Sequence, residues 1–146
     1  IKDASAASAA VRAGARTASA MPRQATYADT TANQVSAAIK GKYTDTAIQA
    51  LWIYRARSDG LPDGGIDSCS VCAKYTWDGG SDKFVLASNN WPAVTQNACV
   101  TGPPNSVGVM VRINHGSVTN MFFSSYLIKE YATLALEPVP VPMGCS

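Results

Sequence analysis

Residues 106–114 have the sequence Ser-Val-Gly-Val-Met-Val-Arg-Ile-Asn, which contains the clearest secondary-structure signal in the chain. Its β-branched residues occupy every second position, at Val107, Val109, Val111 and Ile113. The intervening positions hold Ser106, Gly108, Met110 and Arg112. Because successive side chains of a strand point to opposite faces of its sheet, this period of two predicts a half-buried β-strand.

Strand character extends to four other segments. Aromatic and β-branched residues are concentrated in 48–54, 71–77, 83–86 and 126–136. The second and third of these flank Asp78-Gly-Gly-Ser-Asp82, which predicts a hairpin with a longer loop. A short apolar segment, 118–123, leads into the last strand, and a proline-rich stretch follows it. The pattern predicts a sheet that begins near Ile48.

Residues 1–20 have a helical pattern of small apolar side chains. Ala4, Ala7, Val11, Gly14 or Ala15, and Ala18 recur at spacings of three and four, on one face of a helix of about 30 Å. Such side chains bury little area but allow a close approach to a neighbouring element. We expect the helix to dock from about Val11 onwards, its first turns to project, and Met21-Pro22 to end it.

A second helix is predicted between this stretch and the first strand. Its apolar stripe consists of Ala28, Ala32, Val35 and Ile39. Thr31 and Gln34 have the spacing of a capping box, and Lys40 with Gly41 marks the end.

Helices that precede strands predict an α+β fold, with a long N-terminal helix and a second helix packed on an antiparallel sheet. At 146 residues the chain fits a single domain, residues 1–146. The sequence starts inside the helical pattern, so residues 1–21 are expected to form a helical stalk that follows a membrane anchor lying before Ile1.

The charge content argues against a nucleic-acid partner. Only 15% of the residues are charged and the formal net charge is +2, against an average charged fraction of about 25%. The basic residues are scattered singly and form no dense stripe of the kind that binds nucleic acid.

Cys69, Cys72, Cys99 and Cys145 form an even set in a chain with many small polar residues. This composition is typical of a secreted protein whose cysteines form disulfides. Bridges from Cys69 and Cys72 to Cys99 and Cys145 are favoured, because longer closed loops remove more entropy from the unfolded chain. A local Cys69–Cys72 bridge together with Cys99–Cys145 is the alternative.

Sequence patterns that form redox, metal or catalytic sites in other proteins have structural explanations in this chain. Cys69-Ser-Val-Cys72 has C-x-x-C spacing but enters a strand, whereas the redox motif opens a helix. The cysteines lack the paired spacing of a zinc site, and residues 78–82 lack the full set of regularly spaced oxygen ligands of a calcium-binding loop. His115, the only histidine, lies just past a predicted strand, and the sequence suggests no catalytic partner for it. The sequence therefore predicts no catalytic residue, metal or cofactor, and no enzyme.

Turn chemistry explains the carboxylates of the glycine-rich turns, Asp59, Asp63, Asp67, Asp78 and Asp82. Two other residue groups support a second hypothesis, a surface adhesin or a DNA- or glycan-binding module. One is the arginine set Arg12, Arg16 and Arg23, and the other is the aromatic set Trp52, Tyr54, Trp77 and Trp91.

Residues 9–20, Ala-Ala-Val-Arg-Ala-Gly-Ala-Arg-Thr-Ala-Ser-Ala, resemble the alanine-rich helix that follows the membrane segment in TadE/TadG-like proteins. Gly14, Ala15, Arg16 and Ala18 match its A-x-x-G-A-R-x-A motif, whose first position is Val11 in this sequence, with Ala10 directly before it. Further features resemble the extracellular part of the actinobacterial members: Ser68-Cys-Ser-Val-Cys72, Tyr75-Thr-Trp77, Gln96-Asn-Ala-Cys99, Ser106-Val-Gly-Val109, His115, Phe122-Phe123 and Leu136-Glu-Pro138.

This resemblance implies a pilin-like minor subunit of the tight-adherence (Flp/Tad) pilus that helps to initiate or cap assembly. It implies other pilin subunits and pilus assembly proteins as partners, and attachment to the membrane through the N-terminal helix. The expected location is the extracellular face of the membrane or the pilus. The sequence lacks the family's apolar segment and prepilin cleavage site.

Overall fold

Two α-helices, a short 3₁₀ helix and five strands make up the regular structure of the described residues. The computed structural model describes residues 3–118, 123–140 and 143–145, with side chains described for 5–114, 128–140 and 143–145. The elements are α1 (Asp3–Ser19), α2 (Tyr27–Ile39), β1 (Ile48–Ala56), β2 (Cys72–Asp78), β3 (Lys83–Asn89), β4 (Ser106–Val118) and β5 (Phe123–Ala135). The strands form one antiparallel sheet in the order β3-β2-β1-β4-β5. The predicted α+β architecture, with two helices and an antiparallel sheet, is confirmed.

The helices cover one face of this sheet, which we call the helix face. Val107, Val109, Val111 and Ile113 are fully buried there. Gly14 of α1 makes the close approach possible, because a Cβ at this position would lie 2.7 Å from Val35 Cγ2 and 3.2 Å from Val109 Cγ1. The alternation of β4 therefore directs its β-branched residues into the main core.

The opposite face, which we call the outer face, is also covered. Trp52, Tyr54, Cys69, Cys72 and Met110 form a second buried cluster on it. Met110 is as fully buried as its neighbour Val109, so the prediction of a half-buried strand is wrong for this part of β4. The reason is that residues 57–71, which we call the outer loop, fold back over the sheet.

The docking of α1 starts earlier than predicted. Ala7 and Ala10 are fully buried, as are Val11, Ala15 and Ala18, so the expectation that docking begins near Val11 is wrong. Tyr43 beyond α2 accounts for part of the difference, because its hydroxyl accepts a hydrogen bond from Ala7 N at 3.2 Å. The side chain of Ala4 lies outside the described residues.

The start of α2 also differs from the prediction. The helix begins at Tyr27, so Thr31 is a buried residue of its interior and the predicted Thr31–Gln34 capping box is wrong. Tyr27 anchors the extra turn, since its hydroxyl donates to Trp91 O at 2.6 Å and its ring meets the Trp91 ring edge-on at 5.9 Å. An aromatic anchor from a distant loop has replaced the local cap.

Strands β4 and β5 are paired without a shift in register from Ser106↔Ala135 to Val118↔Phe123. The strand predicted to end at 114 extends to Val118, and the last strand begins at Phe123 and not at 126. Both described ends of the predicted separate segment 118–123 thus belong to these two strands, so that prediction is wrong there. The rest of that segment up to 122 lies outside the described residues.

Candidate functional site

The four cysteines form two disulfides, Cys69–Cys72 and Cys99–Cys145. The favoured long-range pairing of Cys69 and Cys72 with the other two is wrong, and the local alternative is confirmed. Cys69 pairs with Cys72 across the turn that enters β2, where their Cα atoms lie 6.2 Å apart. Two disulfides indicate an oxidising environment, extracellular or periplasmic.

The Cys69–Cys72 bridge closes the end of the outer loop, whose other end is fixed to β1. Arg57 N donates to Leu61 O at 2.9 Å, and the hydroxyl of buried Tyr54 donates to Gly60 O at 2.9 Å. Tyr54 packs against Gly108, where a Cβ would come within 2.3 Å of its ring. The absence of a side chain at Gly108 thus lets Tyr54 reach the loop.

A cluster of cations and one aromatic ring lies beneath this loop. Strand pairing sets Lys74 of β2 and Met110 of β4 beside Trp52 of β1. Lys74 Nζ lies 5.2 Å from the centroid of the Trp52 ring, and Arg112 Cζ lies 4.9 Å from it. Both distances are within the range of a cation–π contact.

Asp67 of the outer loop completes this cluster from above. Arg112 Nη2 donates to Asp67 Oδ1 at 3.2 Å, while Arg112 Nη1 donates to Ile66 O at 3.0 Å. Lys129 of β5 also donates to Asp67 Oδ1. Hydrogen bonds from Lys129 and then Arg112 lower the pKa of Asp67 below its ordinary value. We call these five residues the outer-face cluster: Trp52, Asp67, Lys74, Arg112 and Lys129.

The outer-face cluster carries three cations against one carboxylate. Such an arrangement recognises an anion electrostatically, and in this structure the carboxylate of Asp67 is the anion that it holds. Asp67 is 67% exposed, so its ion pairs are screened by solvent. The described residues contain no group of three or more His, Cys, Asp or Glu side chains that could hold a metal ion.

Two other predicted carboxylates accept hydrogen bonds within their own turns. Asp59 accepts hydrogen bonds from Leu61 N and from Arg57, and Asp78 accepts from Gly80 N and Ser81 Oγ. These bonds lower the pKa of both carboxyl groups. The prediction of turn chemistry is confirmed for Asp59 and Asp78.

The remaining candidates are distributed over both faces. His115 belongs to β4 and not to a loop, and its side chain lies outside the described residues. Arg12 and Arg16 flank a groove of about 300 Å³ between α1 and β5. Arg23 is separate from them, because its N–H and guanidinium bind Gln96 Oε1 and Gln96 O.

The aromatic residues are used mainly in packing. Trp52 is 9% exposed, and Tyr54 and Trp91 are buried. Trp77 meets Phe84 edge-on at 5.1 Å and donates from Nε1 to Asp45 Oδ1 at 3.0 Å. This burial leaves Trp52, Tyr54 and Trp91 without an open face for stacking on a ligand.

Sequence reasoning did not find Lys74, Arg112 and Lys129 as a group. Their alternation with core residues indicates that each side chain points away from the helix face, but only the sheet register brings them together.

Neither α1 nor α2, the two α-helices within the described ranges, combines the length and apolar character needed to span a membrane. Comparison with protein-family models, with curated proteins and with solved structures found no match for this chain.

Proposed function

We propose that this chain is the extracellular part of a minor pilin-like structural subunit of a tight-adherence (Flp/Tad) pilus, which helps to initiate or cap pilus assembly at the cell surface. The observation that carries the proposal is the packing of α1. Apart from Val11, the buried residues of this helix are small: Ala7 and Ala10 are fully buried, and Gly14 brings its backbone close to Val109 of β4.

The other side of α1 supports an assembly role. Ser5, Ala9, Arg12 and Arg16 form an exposed stripe at helical spacing along its length. In the proposed subunit, α1 is the end of a longer helix that continues from a membrane anchor, and this stripe faces neighbouring subunits. The two disulfides agree with a domain exposed outside the cytoplasm.

The test uses the full-length protein in its native membrane. A photo-crosslinking amino acid at Ala9, on the exposed stripe, should capture pilus subunits or assembly proteins. The same group at Val94, which is exposed in the short 3₁₀ helix Ala93–Thr95, is the matched control. Deletion of the gene should reduce piliation. Capture of no pilus component from Ala9, together with unchanged piliation, would refute the proposal.

A second candidate function is an adhesin or a module that binds DNA or an anionic glycan. The three cations of the outer-face cluster favour it, whereas the burial of Trp52 and the ion pairs of Asp67 count against it. Electrostatic binding of labelled DNA should weaken steeply between low and physiological salt. We expect little binding at low salt, and tight, salt-sensitive binding would favour this candidate over the pilin-like role.

A further inference from the structure

The sheet ends in two edge strands, β3 and β5. Within the described residues neither strand pairs with another strand on its outer side, so both edges leave backbone groups for a further strand. On β3 the N–H of Phe84 is already used, because it donates to Ser36 Oγ at 2.9 Å. Leu86 of β3 is 53% exposed and Leu134 of β5 is 42% exposed. Both belong to the helix face, because Leu86 pairs with Tyr75 and Leu134 with Val107, two residues of the main core.

A helix flank with a different charge lies above each of these leucines. Arg12 and Arg16 of α1 share the groove beside β5 with Leu134. Asp29 of α2 shares a groove of about 310 Å³ beside β3 with Leu86, and its carboxylate accepts a hydrogen bond from Tyr75, the strand partner of Leu86.

Lys83 also lines the groove beside β3. It lies three residues before Leu86, roughly 10 Å along the strand at 3.3 Å per residue. Asp29 is therefore the charge at the level of Leu86.

We propose that the β5 edge of one copy of this chain docks on the β3 edge of a second copy, so that copies join head to tail. A two-fold contact that set Leu134 against Leu134 would oppose the arginines of both copies, and one that set Leu86 against Leu86 would oppose the two Asp29 carboxylates. The head-to-tail contact instead places the arginines of one copy against Asp29 of the next. Complementary charge thus selects a heterologous contact.

The same charges select the register. Within one copy, Leu86 is level with Glu130 through the pairs Leu86↔Tyr75, Tyr75↔Leu51, Leu51↔Val111 and Val111↔Glu130. A junction without stagger would set Leu86 and Asp29 against Glu130, which is another carboxylate. A stagger of four residues, roughly 13 Å along the strand, sets Leu86 against Leu134 and Asp29 near the arginines.

The topology determines the form of the assembly. With five strands alternating in direction, β3 and β5 run the same way, so the junction is a parallel pair. A sheet twist of about 20–25° per strand accumulates to about 100–125° over the five strand steps from one copy to the next. A heterologous contact with this rotation and with translation along the sheet produces an open helical array.

The test uses the 146-residue chain with both disulfides intact. L86C and L134C are made separately, mixed at high concentration and treated with a short bifunctional maleimide, which leaves the native bridges unchanged. We expect a cross-linked dimer in the mixture at a yield several-fold higher than for either variant alone. The matched register control replaces L134C with E130C, four residues away on the same face of the same strand, and it should cross-link several-fold less.

Direction is tested by charge changes on one copy at a time. R12E/R16E should lower the yield several-fold when it is carried by the L134C copy and should have no effect on the L86C copy. D29N, which keeps an oxygen acceptor for Tyr75, should act only on the L86C copy. Equal self-cross-linking of L86C, equal yields with E130C and L134C, or equal effects of the charge changes on both copies would each overturn the inference.

This inference deepens the proposed function by naming a contact between subunits, but its test stands apart from it. Cross-linking in the expected order by a protein whose deletion leaves piliation unchanged would refute the pilin-like role and keep the edge contact. Loss of piliation without ordered cross-linking would do the reverse.

Discussion

The two faces of the sheet are covered by different means. On the helix face, α1 and α2 bury a continuous apolar core, and the close fit depends on small residues such as Ala7, Ala18 and Gly14. On the outer face, an irregular loop is fixed by single hydrogen bonds, by the ion pairs of Asp67 and by the Cys69–Cys72 bridge. Close packing thus stabilises the helices on the helix face, whereas polar and covalent attachments stabilise the loop on the outer face.

The two disulfides divide in the same way. Cys69–Cys72 lies on the outer face, whereas Cys99–Cys145 ties the end of the chain to the main core, where Val139 N donates to Ala98 O at 2.8 Å. Their sequence separations are 3 and 46. The two bridges should therefore differ in how much they stabilise the fold.

Removal of Cys99–Cys145 is expected to have the largest effect. For its separation of 46 residues, the chain-entropy relation gives a loss of about 4 kcal/mol in the free energy of unfolding. The same relation gives about 2 kcal/mol for Cys69–Cys72. Urea unfolding of C99A/C145A and C69A/C72A measures both losses. A larger loss for the local bridge would show that its packing on the outer face, and not loop closure, determines its contribution.

A methyl group at Gly108 should have the next largest effect. In G108A the new Cβ would overlap the ring of fully buried Tyr54, so the ring must move and lose its bond to Gly60 O. We expect a loss on the order of 3 kcal/mol.

The control for G108A is the same change on the helix face, G14A. There the new methyl would crowd the Val35 and Val109 side chains, which must shift. The gain of about 1 kcal/mol in helix propensity offsets part of this cost, so we expect a smaller loss than for G108A. Melting temperatures of G108A and G14A compare the two. A larger loss for G14A would mean that the helix face is the less tolerant covering.

Bulk in the α1 seam tests the helix face itself. Ala18 is fully buried, so A18L should overpack the contact and cost about 2 kcal/mol. Ala9 is exposed on the same helix, and A9L should change stability by less than about 0.5 kcal/mol. Equal losses in urea unfolding would show that the exposed stripe of α1 is packed as tightly as its buried side.

The sequence predicts the helix face well because that face depends on local periodicity. The alternation of Val107, Val109 and Val111 and the small-residue stripe of α1 are each contained in one segment. The covering of the outer face is not predictable in this way, because the outer loop contains few apolar residues and its attachments to Tyr54 and Arg112 come from strands distant in sequence.

The prediction of the cysteine pairing was wrong for a related reason. The entropy argument compares unfolded chains only, whereas the fold places Cys69 in the turn that leads directly to Cys72. The outer-face cluster was missed because Trp52, Lys74 and Arg112 meet only through the register of three strands. Alternation indicates the face on which each residue lies, but not its neighbours on that face.

The smallest expected effect concerns pH and separates the two coverings most directly. The pKa of Asp67 is lowered by Lys129 and Arg112, so its contribution is present above its ordinary pKa and is lost as the pH falls through the lower, folded value. Hydrogen exchange of the outer loop, corrected for intrinsic rates, should therefore become faster below about pH 4, whereas α1 amides stay protected.

The control variant is D67N. The pKa of Asp59 is also lowered, so D67N isolates the part of the pH response that is due to Asp67 and should show a weaker response. Added salt should mimic acid in the wild type because these ion pairs are exposed. Equal loss of protection in α1 and the outer loop would mean that the helices and the loop open together. The two faces would then not differ in what stabilises them.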